Sequence, residues 1–470
     1  MKKFVIFALI AAVAAGGVFA QTADGISING FGRGAFVPLQ SHSAPQTNGE
    51  TPSGAEGVNY AGTAVTWGAD YGGAVRTDFR VNGNAEFVGF QVQVTGDGGT
   101  PGIENTHIWA KPFGSDILKL TIGRYEVDNL RGKIATDTGF ESFVAGGLDE
   151  DTIFNRFRGN GGKANAIITS EPMEGLFIGL EIPGVLDTSG NNSLLLDAYR
   201  HMQLGFGYQI PDIGHFRAQY LGGWAGDVDG KTTAADALKK KYKDPLTGLN
   251  TANTALQTAL NALMTNTDPT QVETLTAAYV AAQAGAISAA EKFDFAQIQV
   301  AFALTAVDGL LVDIGLKLGL PVTFKYDGDT VGAASKGVDV GIGATYRADA
   351  FAVAATIAAN FGAYAQIGDD AKYRLNRGMG LDVNVIPTYD LDAATIGASI
   401  GLRTKAADTT DGESAKNNTM QVGFGGFVKK DLGSGHIKAG LAYTTAKTTN
   451  GKANGSGIFT IPIILEYAFF

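Results

Sequence analysis

Residues 457–470, GIFTIPIILEYAFF, run without a gap to the last residue of the chain and end on an aromatic side chain. Apolar side chains occupy every second position from Phe459 to Phe469, so one face of an extended strand would be apolar throughout. Chain ends fray unless another element holds them. A closed β-barrel, in which the last strand pairs with the first, would hold such an end. The stretch therefore predicts the closing strand of a barrel.

The same stretch resembles the C-terminal assembly signal of bacterial outer-membrane β-barrel proteins, in which a terminal aromatic follows apolar residues at every second position. The alternating face ends at Phe469, so Phe470 is one residue more than that pattern has. The resemblance implies an all-β, transmembrane antiparallel barrel surrounded by outer-membrane lipid. It also implies that the barrel-assembly machinery recognises the final strand.

Residues 1–20 have the pattern of a secretory signal peptide. Two lysines precede the apolar segment 4–15, and residues 18–20, VFA, form a small-residue cleavage site. We therefore predict cleavage after residue 20 and a single barrel domain over 21–470, with an uncleaved anchor as the alternative. The sequence has no cysteine, which excludes a lipoprotein anchor, disulfides and thiolate metal sites.

The composition favours a barrel over a helical membrane protein or a nucleic-acid-binding protein. The chain has 470 residues, 65 of them glycine, which is about twice the usual share. The net charge of −10 argues against a nucleic-acid partner. Mean hydropathy is close to zero, and no long apolar run follows the signal segment. Such diluted hydrophobicity is typical of transmembrane strands, whose lumen-facing residues are polar.

Extended segments recur along the mature chain, and the connections between them alternate in length. Short turns rich in Gly, Asn, Asp and Pro alternate with long polar connections, as they do in outer-membrane barrels. The long connections include 97–103, 320–336, 362–378 and 405–417. The segments number about eighteen, with sixteen as the alternative count: 25–38, 73–82, 85–96, 104–112, 115–125, 163–171, 175–183, 200–210, 214–225, 293–305, 309–319, 337–347, 350–361, 379–389, 393–404, 418–430, 434–446 and 457–470.

Alternation within the segments indicates a wall with one apolar and one polar face. In 200–210, Leu204 and Phe206 face one side, Gln203 faces the other, and glycines such as Gly205 fall on the polar side. A soluble β-sandwich, whose strands also alternate, is the alternative. A sandwich would not explain the signal peptide, the aromatic terminus and the sided connections together.

The connection 226–292 is an exception, because its Ala-rich runs predict helices. Asp268 precedes Pro269 at a first helical position, and Gln271 completes a capping-box-like start. The Ala, Thr, Asn and Gln content is too polar for a membrane span. We predict an α-helical insertion in one extracellular loop, acting either as a receptor-like surface or as a structural cap.

The third long connection, 126–162, is the candidate constriction. By position and length it resembles the loop that general porins fold into the barrel. Carboxylates on such a loop, opposite arginines on the wall, would set a transverse field that filters ions and orients dipolar solutes. The alternative is that the loop charges are solvated outside the barrel. The candidate pore-lining residues are Arg76, Asp78, Arg80 and Arg217 on the wall, and Arg131, Lys133, Asp137, Glu141, Asp149, Glu150 and Asp151 in the loop.

Enzymatic function is not predicted. The five histidines show no metal-ligand spacing such as His-Glu-x-x-His. A barrel hydrolase needs a histidine beside a carboxylate or a serine, and His201 with Asp197 or Ser193 is a combination that chance easily supplies. We predict no catalytic residues, no cofactor and no metal site.

Together these patterns are similar to those of bacterial outer-membrane porins, and the leader and terminus are similar to those of spirochaetal outer-membrane proteins. The expected function is passive diffusion of small hydrophilic solutes and ions through a water-filled barrel. The alternatives are an adhesin with an occluded lumen, with 39–72 and 226–292 as its working surface, and a hydrophobic-solute transporter. The latter would need an N-terminal plug, for which residues 21–24 are too few. The resemblance also allows a homotrimer, while solute and ion selectivity stay open.

Overall fold

A computed structural model gives the fold of most of the chain. It describes residues 25–42, 62–66, 75–97, 100–134, 153–158, 165–183, 201–223, 225–229, 295–326, 329–362, 364–367, 374–376, 379–405, 409–410, 413–414, 419–445, 447–449, 452–454 and 457–469, with isolated positions at 258, 262, 265, 271 and 274. The predicted signal peptide, 1–20, and the terminal Phe470 lie outside these described residues.

Eighteen long strands form one closed antiparallel barrel, so the predicted fold class and strand count are confirmed. The strands are β1 Ile26–His42, β2 Val75–Asn84, β3 Val88–Asp97, β4 Thr100–Ala110, β5 Lys119–Arg124, β6 Asn165–Met173, β7 Leu176–Pro183, β8 Gln203–Ile210, β9 Gly214–Leu221, β10 Gln297–Val307, β11 Leu310–Gly319, β12 Val338–Ala348, β13 Phe351–Phe361, β14 Gly380–Leu391, β15 Ala394–Lys405, β16 Thr419–Leu432, β17 Gly435–Thr444 and β18 Ile458–Phe469. Each pairs with the next, and β1 pairs with β18 from Gly30↔Phe469 to His42↔Ile458.

The wall has an apolar outer face and a polar inner face. Val88, Ile400 and Leu441 are 56, 57 and 52% exposed. Side chains of the opposite parity, such as Gln203 and Asn384, are polar and buried. The two sets separate because successive side chains of a strand point to opposite faces of a sheet. The polar set therefore points into the barrel.

Short turns close one end of the barrel, as the sequence predicts. Two or three residues separate the strands at each of these turns except 111–118, which is longer. Asp212 and Asp349 have left-handed φ angles of 59 and 50°. Asp tolerates this conformation, which a tight hairpin turn often requires. Both described chain ends, Gly25 and Phe469, lie at this end of the barrel.

The opposite end is more regular than the sequence predicts. The prediction of a long connection at 97–103 is wrong, because Asp97 pairs with Thr100 in a tight turn between β3 and β4. Polar residues continue the backbone hydrogen bonding between β3 and β4 there. Strand ends that extend past the apolar outer face can pair through backbone hydrogen bonds alone. Parts of the predicted connections also form a second, seven-stranded sheet, made of Gly226–Asp229, Val322–Tyr326, Asp329–Ser335, Tyr364–Ile367, Arg374–Asn376, Thr409–Thr410 and Glu413–Ser414.

The predicted helical insertion, 226–292, begins differently from the prediction. Gly226–Asp229 is a strand that pairs in parallel with Val322–Tyr326, so the segment starts as part of the second sheet. From 230 to 292 only the isolated positions named above are described, and the helical insertion stays a prediction. Among the described residues, no helix is both long and apolar enough to cross a membrane.

Candidate functional site

Two described parts of the connection 126–162 lie inside the barrel, against the inner face of β7–β12. Residues 126–134 and 153–158, here called the inserted segment, run side by side, because Glu126–Val127 pairs with Phe157–Arg158. A 3-10 turn, Asp128–Leu130, follows the first of these strands. Five apolar side chains of the segment are at most 2% exposed: Leu130, Ile134, Ile153, Phe154 and Phe157. Side chains that are buried to this extent must pack against the inner face of the barrel wall.

Inward glycines of the wall make that room. A Cβ atom at Gly205 would lie 2.6 Å from Leu130 Cδ1, and one at Gly179 would lie 2.8 Å from a ring carbon of Phe157. Real Cβ atoms do not approach other atoms so closely. A larger residue at these positions would therefore push the segment away from the wall. The same holds at Gly207, Gly315 and Gly343, which lie under Leu130, Ile153 and Ile134.

Arg217 of β9 and Asp313 of β11 form an ion pair whose side chains are completely buried beneath the inserted segment. Arg217 Nη1 also donates to the carbonyl oxygen of Arg131 at 2.6 Å, and Asp313 Oδ2 accepts from the N–H of Lys133 at 2.6 Å. The guanidinium carbon lies 5.4 Å from the ring centroid of Phe154. Buried charges are tolerated only when they are paired and hydrogen-bonded, and here the segment supplies the additional partners.

A second set of polar contacts holds Asn155. Its N–H donates to Gln299 Oε1 at 3.1 Å, and its carbonyl oxygen accepts from Gln219 Nε2 at 2.9 Å. Gln219 Nε2 also donates to Gln299 Oε1 at 2.9 Å, and Lys317 Nζ donates to Asn155 Oδ1 at 2.6 Å. The two glutamines thus bind both backbone groups of one residue, as a neighbouring strand would. Both described ends of the inserted segment are therefore fixed to the wall.

Between the inserted segment and the facing wall of β1–β4 lies a polar cavity of about 610 Å³, here called the lumen cavity. Aromatic and amide side chains contribute to its lining, but charged groups predominate at its surface. The charged lining residues are Arg33, Arg76, Asp78, Arg80 and Glu104 of the wall, and Arg131 and Arg156 of the inserted segment.

A hydrogen-bond network fixes the charged side chains of β2–β4. Glu104 Oε2 accepts from Arg76 Nη2 at 2.9 Å and from Gln93 Nε2 at 3.0 Å. Asp78, which is 1% exposed, accepts from Arg76 Nε at 3.3 Å and from Gln93 Nε2 at 3.1 Å. Both carboxylates are therefore held on the wall by donors. The side chains of Arg76 and Arg80 keep 31 and 40% of their surface exposed.

The structure brings four of the predicted pore-lining residues to the lumen cavity, namely Arg76, Asp78, Arg80 and Arg131. Arg217 points into the barrel but is buried beneath the inserted segment, so it anchors the segment and does not line the cavity. The side chain of Lys133 is exposed, while its backbone N–H binds Asp313. The acidic candidates Asp137, Glu141, Asp149, Glu150 and Asp151 lie outside the described residues, and their role stays a prediction.

Sequence reasoning missed several residues of the site, although three of them could be recognised from the sequence. Arg33 stands between glycines in the strand GFGRG, 30–34, two positions from Phe31, which also lines the cavity. Asp313 and Lys317 are the charges of an otherwise apolar strand and are separated by an even number of residues, so they share one face. A charge in such a strand belongs on the lumen side. No comparable sequence pattern indicates Glu104, Gln219 or Gln299.

Comparison with known proteins gives structural similarity without sequence similarity. No protein-family model matches the chain, and no curated protein sequence matches it significantly. Similar solved structures include the outer membrane channel DcaP of Acinetobacter baumannii, with 11% identity, 94% of this chain and 97% of that chain covered, and a TM-score of 0.43. They also include OmpT of Vibrio cholerae, with 11% identity, 95 and 99% coverage and a TM-score of 0.40.

A third similar structure is an anion-selective porin from Comamonas acidovorans, with 9% identity, 94 and 100% coverage and a TM-score of 0.39. These comparisons do not support the narrower resemblance to spirochaetal proteins. At such TM-scores the fold assignment rests on the strand pairing of this chain itself. Among the residues that the structure describes, no group of three or more His, Cys, Asp or Glu side chains is arranged to hold a metal ion.

Proposed function

We propose that the chain is an outer-membrane porin through which small hydrophilic solutes and ions diffuse passively. The observation that carries the proposal is a polar cavity of about 610 Å³ inside a closed barrel of eighteen strands. Barrels of this strand number are wide enough to leave an aqueous channel. Charged and polar lining groups replace part of the hydration shell of a solute and so let it enter.

The outer face supports an environment of lipid. Its large apolar side chains are widely exposed around the barrel, and in water such a continuous surface would cause association. In the proposal, residues 1–20 direct export, the final strand is read by the assembly machinery, and the barrel spans the outer membrane. A homo-oligomer such as a trimer is part of the proposal, and native mass spectrometry of the detergent-solubilised protein would test it.

The inserted segment is proposed to narrow the pore. Its described ends are pinned to β7–β12, which leaves the lumen cavity on the side of β1–β4. The acidic residues between these ends are proposed to add negative charge to the constriction. Replacing Asp137, Glu141, Asp149 and Glu150 by Asn or Gln should then shift ion selectivity towards anions. Unchanged conductance and selectivity would place these carboxylates away from the ion path.

Single-channel recording of the detergent-purified protein in a planar bilayer tests the proposed function directly. Steady, resolvable conductance steps are expected, because an open water-filled lumen carries ions continuously. A protein that inserts into the bilayer but never conducts has an occluded lumen. That outcome would contradict the porin proposal and favour the adhesin.

A further inference from the structure

The barrel wall is lower on one side than on the other. Strands β5, β8 and β9 have 6, 8 and 8 residues, whereas β14, β15 and β16 have 12, 12 and 14. The residues that adjoin the three short strands are themselves described and are not extended, so these strands end within the described part of the chain. The outer face of β5–β9 is here called the low wall.

The height of the low wall does not match the thickness of an outer membrane. A transmembrane strand that is tilted by about 40° gains about 2.6 Å of height per residue. Strands of six, eight and twelve residues then reach about 16, 21 and 31 Å, whereas the apolar band of such barrels is about 25 Å tall. A membrane surface that is too short is accommodated by thinning of the bilayer or by association with another protein.

An arginine lies on the outer face of the low wall. Arg124 follows the exposed residues Leu120 and Ile122 on the same face of β5. Its Nη1 donates to the carbonyl oxygen of Ile103 at 3.1 Å. As the last residue of β5, Arg124 lies about 16 Å from the short-turn end, which is inside an apolar band about 25 Å tall. A cation at that depth destabilises a barrel that faces lipid there, so this face favours a neighbour other than lipid.

Two aromatic rings lie on the same face. Phe206 of β8 and Phe216 of β9 form an edge-to-face pair with ring centroids 6.1 Å apart. Their side chains keep 39 and 37% of their surface exposed. Aromatic side chains are enriched at protein interfaces, and a few of them supply much of the binding energy. The low wall therefore has the chemistry of a protein-binding surface as well as a reduced height.

We propose that the low wall is the subunit interface of a homo-oligomer, and that its partner is the low wall of a second copy of this chain. The inference rests on the proposed function, in which the outer membrane surrounds the barrel. Two low walls have the same height, so contact between them removes the mismatch of both copies at once. A partner of full height would instead leave part of its own apolar surface uncovered above the low wall.

The first experiment compares two charge substitutions by native mass spectrometry of the detergent-solubilised protein. The wild type is expected at a multiple of the single-chain mass. Phe206→Arg should shift the protein to the single-chain mass, because the charge lies within the interface. Ile400→Arg is the matched control on the outer face of the taller strand β15, and it should keep the wild-type mass. The folded band in unheated gel samples shows that each variant is folded.

The outcomes separate the interface from the porin function. A wild type of single-chain mass overturns the interface, and steady conductance of that monomer in a planar bilayer leaves the porin function standing. An oligomer that never conducts overturns the porin function and not the interface. Equal masses of the folded Phe206→Arg and Ile400→Arg variants also overturn the interface.

The second experiment measures the environment of the low wall in lipid vesicles. The chain has no cysteine, so Phe206→Cys and Ile400→Cys each provide a single site for a nitroxide label. Dissolved oxygen concentrates in lipid, so its collisions with the label report contact with lipid. The label at position 206 is expected to collide with oxygen severalfold less often than the label at position 400. Equal collision rates would show that lipid covers the low wall and would overturn the interface, including where Phe206→Arg does not fold.

Discussion

Arg217 and Asp313, two strands apart on the inner wall, bind each other and also bind the peptide groups on either side of Gly132. Arg217 donates to the carbonyl oxygen of the residue before this glycine, and Asp313 accepts from the N–H of the residue after it. Gly132 itself is buried. A charged pair of the barrel thus takes the role that a neighbouring strand has elsewhere in the wall. The position of the inserted segment therefore depends on two side chains from distant parts of the sequence.

Removal of one member of this pair is expected to be costly. Arg217→Met leaves the Asp313 carboxylate buried without its counter-charge, and breaking a buried pair in this way typically costs about 3–5 kcal/mol. The free energy of unfolding in lipid vesicles, measured by urea titration with tryptophan fluorescence, should fall accordingly. Single channels should also become noisier, because the carbonyl of Arg131 loses its donor. A variant with unchanged stability and quiet channels would show that the pair does not anchor the segment.

The double variant Arg217→Met/Asp313→Leu separates charge burial from anchoring. Replacing both members of a buried ion pair by apolar residues is often neutral or stabilising, so most of the lost stability should return. The hydrogen bonds to the inserted segment remain absent, so the channel noise should persist. Recovery of quiet channels together with stability would contradict an anchoring role for the pair.

Glycine at position 205 is expected to be required by the packing of the inserted segment. In Gly205→Ala the new Cβ would meet Leu130 and Phe157, and overpacking of this kind costs about 1–3 kcal/mol. Gly102→Ala is the matched control, because a Cβ there would meet nothing closer than 3.8 Å. The control should be neutral or slightly stabilising. Equal unfolding free energies of the two variants would mean that the segment does not press on the wall at Gly205.

The apolar outer face of the barrel gives a prediction about the surrounding lipid. Ile400 lies midway along β15 with 57% of its surface exposed on the apolar face. Ile400→Arg should lower the free energy of unfolding by about 2–4 kcal/mol in vesicles, the cost of a cation at the middle of a bilayer. Leu391→Arg, at the short-turn end of β14, should cost about 0–1 kcal/mol, because an arginine there reaches the interface. Equal costs in vesicles would contradict the proposed depth of these positions.

How much of this fold the sequence predicts depends on the range of the interactions. The number of strands, and the face of the wall on which each side chain lies, follow from the alternation of polar and apolar neighbours. The inward orientation of Arg217 could be predicted in this way. The burial of Arg217 could not be predicted, because the carbonyl group that covers its side chain belongs to a residue 86 positions earlier in the chain. The glycines of the polar face were visible in the sequence, but their function as a packing surface requires the inserted segment to be in place.

The structure of the polar connections also could not be predicted from the pattern of neighbouring residues. Their composition suggested loops, yet parts of them pair into a seven-stranded sheet, and residues 100–103 belong to strand β4, whose Thr100 pairs with Asp97 of β3. Backbone hydrogen bonds need no particular side chain. Polar residues at the end of a barrel can therefore form paired strands that no alternating apolar pattern predicts.

The closing strand gives the last prediction. Residues 465–469 of β18 pair with Gly30–Gly34 of β1, and the same strand pairs with β17 from Gly435↔Tyr467 onwards. A chain that ends at Ile464 loses both ladders at the short-turn end and leaves unpaired N–H and C=O groups facing lipid, at a cost of several kcal/mol for each unsatisfied group. It should fail to refold into vesicles, as judged by the loss of the folded band in unheated gel samples. A chain that lacks only Phe470 should refold like the wild type in vitro, because the alternating face ends at Phe469. If the shorter chain folds as well as this control, closure of the barrel does not depend on the terminal residues of β18.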